Sequence, residues 1–296
     1  MLIQPDCFPC ILKMALSTIR ALQIKEETAN KLYCQILSLA HLHGHHWDIT
    51  NEEVIEMVLK MILSHVDHPD PFHALKFEQN KMIMNIYPWL QDQVTQAPDP
   101  LYTAVKLAIL GNAIDMMVSD NTLEIEQSII NRLQIPISGE AFAHFNQKLS
   151  SSRFLVYFGD NSGEIVFDKL LIETIKKTYD VEIVYVVKSH PMLNDVTLRE
   201  AAFVGLDKIV PVIGNGVDGP LPGTILRRCS EEVREACDHA DLLISKGGAN
   251  FDTLEEEYKR RNMNITFMFL SKCQAYCRYL GNPLNQPVLA NYHAKP

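Results

Sequence analysis

The sequence has no apolar run that approaches the roughly 20 residues needed to cross a bilayer. Its start also lacks the basic region and the long apolar stretch of a signal peptide. Positive charge is scarce as well, because 27 Lys and Arg residues stand against 36 Asp and Glu residues, which gives a net charge of −9. A nonspecific nucleic-acid binder would need the opposite balance to neutralise phosphates. We therefore expect a cytoplasmic protein that binds neither membranes nor nucleic acids.

The seven cysteines do not suit the disulfide framework of a secreted protein, because their number is odd and a chain of this length does not need disulfides to be stable. Cys7 and Cys10 form a CxxC pair, and Cys273 and Cys277 form a CxxxC pair. The two pairs could supply a four-thiolate zinc site. The second spacing suits one face of a helix better, and free cysteines usually act as small buried hydrophobic residues. We favour that interpretation and keep a metal or redox site as the alternative.

The chain has enough apolar material for a large core, and the pattern of this material changes near residue 150. Hydrophobic residues make up 47% of the 296 positions. Up to residue 149 the apolar residues recur at helical spacing. Within this part, Thr50 and Glu53 predict a capping box at the start of a helix. We predict a helical N-terminal domain over residues 1–149 and an α/β domain over residues 150–296.

Five short apolar runs in the second part predict the strands of a parallel sheet. The runs are rich in β-branched and aromatic residues, and helical stretches separate them, so the sheet should be covered on both faces. Pro211 in the third run favours an edge position. In such sheets, ligands bind outside the carboxyl ends of the strands. The runs span residues 154–158, 182–187, 208–213, 241–245 and 265–270.

The loops after the first two predicted strands are rich in oxygen ligands. The first runs from Gly159 to Glu164 and contains adjacent aspartate and asparagine residues, and the second contains Asn194 and Asp195. Hard divalent ions prefer such oxygens, and the amides at a helix start suit a phosphate. Either loop could instead cap the helix that follows it. Because consecutive strands can bring both loops to one edge, the two loops together indicate a cation site.

Two further loops after predicted strands offer positive charge. Residues 245–250 combine Lys246 with a Gly-Gly pair, which lets the backbone approach a phosphate closely. The spacing is not that of a Walker A loop. Lys272 follows the fifth strand, where a lysine could also simply be solvated. Two carboxylates, an amide oxygen and these two lysines suit phosphoryl transfer, which needs charge neutralisation on the nonbridging oxygens.

In this order along the chain, the motifs resemble those of the metal-dependent damage-control phosphatases, formerly called the domain of unknown function 89 family. The N-terminal Cys7–Cys10 motif is similar to the mark of the family's microbial CxxC subgroup. The eukaryotic Arg-Thr-x-Lys motif is matched only by its lysine, because residues 269–272 read Phe-Leu-Ser-Lys. The matching motifs lie at residues 111–115, 159–164, 194–197, 246–251 and 272–273.

The resemblance implies a Rossmann-like α/β/α sandwich behind a helical part, and a phosphatase that clears damaged or misplaced phosphosugars or nucleotide-like compounds. It implies one divalent metal ion (Mn, Ni, Co or Mg) held by Asp160, Asn161 and Asp195. We predict catalytic roles for Asp160 and Lys246, and a small phosphorylated metabolite as the partner. The predicted substrate contacts are Ser162, Gly163, Glu164, Asn194, Ser245, Gly247, Gly248, Ala249, Asn250 and Lys272.

Two other functions stay open. The first is a methyltransferase that uses S-adenosylmethionine, an activity also proposed for a member of this family, although no Gly-x-Gly loop follows the first predicted strand. The second is a non-catalytic metal or metabolite sensor built on Cys7 and Cys10. For the phosphatase, we expect these two cysteines to be reduced and not to bind the catalytic metal, because a hard oxygen site does not need thiolates.

Overall fold

The computed structural model describes residues 1–113 and 122–294, which form thirteen α-helices and one six-stranded sheet. Within these residues, no helix combines the length and the apolar character needed to cross a membrane. The strands are β1 (Phe154–Phe158), β2 (Glu182–Val187), β3 (Val212–Gly214), β4 (Leu242–Lys246), β5 (Ile265–Leu270) and β6 (Pro287–Tyr292). The helices are α1 (Cys7–Ala21), α2 (Glu26–Leu37), α3 (Asn51–Leu63), α4 (His73–Asn85), α5 (Tyr87–Thr95), α6 (Pro100–Gly111), α7 (Thr122–Leu133), α8 (Gly139–Ser151), α9 (Glu164–Thr178), α10 (Leu198–Val204), α11 (Glu231–His239), α12 (Gly248–Arg260) and α13 (Gln274–Leu280).

The predicted α/β fold with a mostly parallel sheet is confirmed. The strand order is β3-β2-β1-β4-β5-β6, and all neighbours are parallel except β5 and β6. The chain builds outward from β1 in one direction through β2 and β3, and then returns to place β4 on the other side of β1. Open α/β sheets bind their ligands in a crevice outside the carboxyl ends of the strands at such a reversal, which here are β1 and β4.

Two strand predictions need correction. The third run was expected at residues 208–213, but β3 begins only at Val212, because Leu206–Lys208 form a 3-10 turn and Pro211 has no N–H to donate. As expected, β3 lies at an edge of the sheet. The antiparallel strand β6, which follows α13, was not predicted, since it begins with a proline, a residue that strands seldom contain.

The alternation of side chains along the strands divides the core between the two faces of the sheet. Leu155 and Tyr157 of β1 join a cluster formed with α5, α6, α8 and α9, while Val156 and Phe158 join a cluster formed with α11 and α12. A third cluster holds α1, α2 and α3 together. The predicted capping box at Thr50 is confirmed at the start of α3. The division into two domains at residue 150 stays a prediction.

Phe251 of α12 is fully buried, and its ring packs edge-to-face against Phe267 and at a tilt against Phe269, at centroid distances of 5.0 and 4.9 Å. We expect Phe251→Ala to lower the free energy of unfolding by about 3–5 kcal/mol, because it leaves a cavity between α12 and the sheet. Urea unfolding checks this. Phe203→Ala on α10, where the side chain is 44% exposed, is the matched control and should lose about 1 kcal/mol or less. Equal losses would contradict the assignment of Phe251 to the core.

Candidate active site

A short antiparallel bridge between Asn161 and Asp195 joins the two loops that were predicted to hold the metal. The N–H of Ser162 donates to the carbonyl of Asn194 at 2.8 Å and extends this connection. The bridge forms because β1 and β2 are parallel neighbours, so their carboxyl ends lie side by side. The backbone thus brings Asp160, Asn161 and Asp195 to one edge of the sheet.

Three carboxylates are buried together at this edge, those of Asp160, Glu164 and Asp195. Burial raises the pKa of Asp160 well above its usual range, and the charges of Glu164 and Asp195 raise it further. Burial also raises the pKa of Asp195 to about 6. Within the described chain, Asp195 Oδ2 makes no hydrogen bond, although Lys188 Nζ lies 3.6 Å away. Buried carboxylates with this much unrelieved charge fit a hard divalent cation.

Asn112 connects the carboxylates to the helical part of the chain. It caps the end of α6, and its Nδ2 donates to Asp160 Oδ2 at 3.1 Å and to Glu164 Oε2 at 3.0 Å. Asn112 was part of the family motif at residues 111–115, but it was not among the predicted site residues. Ile114 and Asp115 of the same motif lie outside the described residues.

Lys246 lies inside the protein, beneath the carboxylates. Its Nζ donates to Glu164 Oε1, to Asp168 Oδ1 and to the carbonyl of Ala108, each at 2.7 Å. Burial alone would lower the pKa of this ammonium, but Asp168 and Glu164 hold the pKa above its usual value. Protein acceptors thus take all three N–H groups of the ammonium, which leaves none for a phosphate, and the catalytic role of Lys246 stays a prediction.

Asp168, one helical turn after Glu164, completes this buried network. The hydroxyls of Tyr157 and Tyr185 donate to its two oxygens at 2.7 and 2.8 Å. Sequence reasoning missed Asp168, and its only local signal was a second carboxylate four residues after Glu164 on the same helix face. The network fixes α9 against β1, β2 and β4, and so it sets the position of the loop that begins α9.

The third predicted loop lies directly against the first. Gly247 has a φ of +79°, and a Cβ at this position would clash with the carboxylate of Asp160. Asn250 Nδ2 donates to the carbonyl of Gly159 at 3.0 Å, and Asn250 Oδ1 accepts from the Thr224 hydroxyl at 2.8 Å. Asn250 therefore ties the two loops together, and glycine is needed where they meet.

Several predicted substrate contacts remain available around this crevice. The hydroxyls of Ser162 and Ser245 are buried, and within residues 1–113 and 122–294 they have no hydrogen-bond partner. Gly248 and Ala249 open the first turn of α12, where N–H groups lack helical acceptors. The exposed Lys272 is close enough to lower the pKa of Asp160 through its charge.

Two further cations lie nearby, and sequence reasoning missed both. Lys188, directly after β2, is buried; it donates to the carbonyl of Gly223 and pairs with Asp195. Lys76 lies among Asp70, His73 and Glu200, which form the one described group that offers three possible metal ligands within 4.8 Å of one another. The Lys76 ammonium is 2.7 Å from Asp70 and 3.3 Å from Glu200 and already neutralises charge there.

All seven cysteines lie within the described residues and are free thiols. Cys7 is half-buried, and burial raises the pKa of its thiol to about 11. Cys10 is exposed. A raised pKa keeps Cys7 protonated at neutral pH and makes it a poor nucleophile. The assignment to the CxxC subgroup stays a prediction.

Comparisons with known proteins agree with this geometry. The damage-control phosphatase ARMT1-like domain matches residues 3–288. Damage-control phosphatase PH1575 of Pyrococcus horikoshii is 33% identical over 218 residues, which cover 72% of each chain. The uncharacterized protein MJ0202 of Methanocaldococcus jannaschii is 28% identical over 296 residues, covering 97% of this chain and 94% of the relative. The crystal structure of PH1575, described as a DUF89 family protein, superposes over 100% of both chains with a TM-score of 0.87 and 24% identity.

The chain therefore belongs to the damage-control phosphatase ARMT1-like family, as the resemblance in its motifs indicated. The structural likeness to PH1575 agrees on the fold. Membership of this family supports a phosphatase, hence a hydrolase whose substrates are phosphorylated small molecules, over the methyltransferase and sensor alternatives.

We expect Lys246→Met to lower the free energy of unfolding by about 3–5 kcal/mol, because it leaves the carboxylates of Glu164 and Asp168 buried without a cation. Chemical denaturation checks this. Lys31→Met, which breaks only the exposed pair with Glu27, is the matched control and should change stability by about 0.5 kcal/mol or less. Unchanged stability with lost turnover would instead favour a phosphate-binding role for Lys246.

Gly247→Ala should disturb the site as well as the backbone. Gly247 has a φ of +79° and a ψ of +161°, a backbone region that is essentially restricted to glycine and costs other residues about 1–3 kcal/mol, and here the methyl group must also displace the Asp160 carboxylate. Gly281→Ala is the control, because Gly281 has a φ of +70° and an added Cβ meets nothing within 4 Å. We expect a larger loss of stability in Gly247→Ala than in Gly281→Ala, and a loss of phosphate release only in Gly247→Ala. Full activity in both would place Asp160 outside the reaction.

Proposed function

We propose that this protein is a divalent-metal-dependent phosphomonoesterase that acts on small phosphorylated metabolites, such as phosphosugars or damaged nucleotide-like phosphates. The observation that carries the proposal is the bridge between Asn161 and Asp195, which joins oxygen ligands from two loops beside the buried carboxylate of Asp160. In this proposal Asp160, Asn161 and Asp195 hold one cation (Mn, Ni, Co or Mg). Such a cation supplies charge neutralisation on the phosphoryl oxygens.

The other residues of the crevice suit the binding of a phosphate. The N–H groups of Gly248 and Ala249 lie at the positive end of the α12 dipole and favour an anion. Lys272 adds a full positive charge at the mouth of the crevice, and the hydroxyls of Ser162 and Ser245 can donate to phosphate oxygens. We assign these five residues to the substrate and give Asn250 a positioning role, because its carboxamide is already bonded to protein.

Glu164 has a different role from Asp160, although the two carboxylates share the donor Asn112. The Lys246 ammonium contacts Glu164 directly, so the charge of Glu164 is balanced within the protein. The charge of Asp160 is not balanced in this way, since it accepts from the neutral amides of Asn112 and Asn161. We propose that Asp160 faces the cation and that Glu164, held by Lys246, keeps Asn112 in place.

Asp160→Asn and Asp195→Asn should each weaken Mn²⁺ binding and phosphate release by at least about 100-fold. This loss is larger than the loss expected when a residue that only hydrogen-bonds to a metal ligand is removed. Equilibrium dialysis with Mn²⁺ and a panel of phosphate esters measure the two effects, and Ni²⁺, Co²⁺ and Mg²⁺ are compared on the same panel. Asp207→Asn is the control, because Asp207 is exposed and lies in the 3-10 turn that follows α10. Full Mn²⁺ content in both site variants would move the metal elsewhere.

A further inference from the structure

Asn80 of α4 reaches the first ligand loop from a distant part of the chain. The side chain is fully buried, and its Oδ1 accepts the N–H of Gly163 at 2.6 Å. Gly163 has a φ of +75° and caps the start of α9, two residues after Asn161. Without Asn80 this buried N–H would lose its acceptor, which is unfavourable for a buried donor. Asn80 therefore holds the loop in the backbone conformation that presents Asp160 and Asn161.

Lys76 of the same helix reaches the second ligand loop. It is fully buried, and its Nζ lies 3.3 Å from Glu200 Oε2 and 2.7 Å from Asp70 Oδ2. Glu200 also accepts the N–H and the hydroxyl of Thr197, at 2.9 and 2.6 Å, and so forms the capping box of α10. Thr197 is the second residue after Asp195. Through Glu200, Lys76 therefore anchors the segment that directly follows this predicted ligand.

The spacing of the two residues lets one rigid element hold both loops. Positions 76 and 80 are four residues apart and lie on one face of α4, which packs against both α9 and α10. Both side chains are fully buried. We propose that Lys76 and Asn80 are positioning residues that clamp the two metal-ligand loops to α4 and thereby set the distance between Asp160–Asn161 and Asp195. This inference rests on the proposed function.

Lys76 also explains the group formed by Asp70, His73 and Glu200. Its ammonium lies between the two carboxylates, at the place where a metal ion would otherwise balance their charge. A second cation there would have to displace a fully buried lysine. We therefore interpret this group as the set of acceptors that holds Lys76 in place.

The experiment compares Asn80→Ala and Lys76→Met with two exposed controls on the same helix, Asn85→Ala and Lys81→Met. The dissociation constant for Mn²⁺ is measured by electron paramagnetic resonance well below each variant's unfolding midpoint. Hydrogen exchange of the peptides that cover residues 159–164 and 194–197 is measured without metal. Lys76→Arg is included because it keeps the charge that Asp70 and Glu200 require.

We expect Asn80→Ala and Lys76→Met to bind Mn²⁺ about 10- to 100-fold more weakly than the wild type. Exchange should be faster over 159–164 in the first variant and over 194–197 in the second. Lys76→Arg should recover part of the affinity, and the two controls should match the wild type.

Unchanged Mn²⁺ affinity in both variants, even with a lowered unfolding midpoint, would overturn the clamp, because a merely structural role lowers stability without changing the affinity of the folded protein. Unchanged hydrogen exchange in both loops would also overturn it. A wild type that binds none of the tested cations is a different result: it overturns the proposed function, and the positioning role falls with it.

Discussion

The buried ammonium of Lys246 is the interaction on which the arrangement of the site depends. It joins the end of β4 to the carbonyl of Ala108 on α6 and to two carboxylates of α9. Two buried carboxylates need a compensating cation, because desolvation without one would disfavour their ionised form. With Lys246 in place, Glu164 stays beside Asn112, and α9 begins where its first loop can carry metal ligands. The ion pairs of Lys246 with Glu164 and Asp168 thus set the position of the loop that carries the predicted metal ligands at the edge of the sheet.

The strand order explains why so many polar side chains meet at one place. The strands β2 and β3 are added on one side of β1, and β4 then pairs with the other side of β1. The loops after β1 and β4 therefore lie at the point where open α/β sheets bind their ligands. Asp160 and Gly247 touch there because neighbouring parallel strands end at the same edge, and the absence of a side chain at Gly247 leaves room for the carboxylate. The helical N-terminal part contributes Asn112, Lys76 and Asn80, which connect the crevice to α6 and α4.

Much of the sheet could be predicted, because continuous apolar runs between helical stretches are typical of buried parallel strands. The runs at residues 154–158, 182–187 and 265–270 coincide with β1, β2 and β5. The antiparallel β6 was missed, since nothing local distinguishes a short edge strand that begins with proline from a loop. The direct phosphate contact expected of Lys246 could not be tested from the sequence, because burial depends on what packs above the residue.

The sequence by itself determined the class of fold, the family and the oxygen-rich loops, since these depend on residue types at short spacing and on the order of motifs along the chain. Only the tertiary structure decided which polar residues share a site. Lys76 and Asn80 show no periodicity or motif that marks them, and their partners are distant in sequence, since Lys76 and Glu200 are 124 residues apart. Asn112 lies in a predicted motif, but that motif did not reveal its contact with Asp160. Such pairs come together because the sheet must bury both faces, and that packing brings distant helices over the same strand ends.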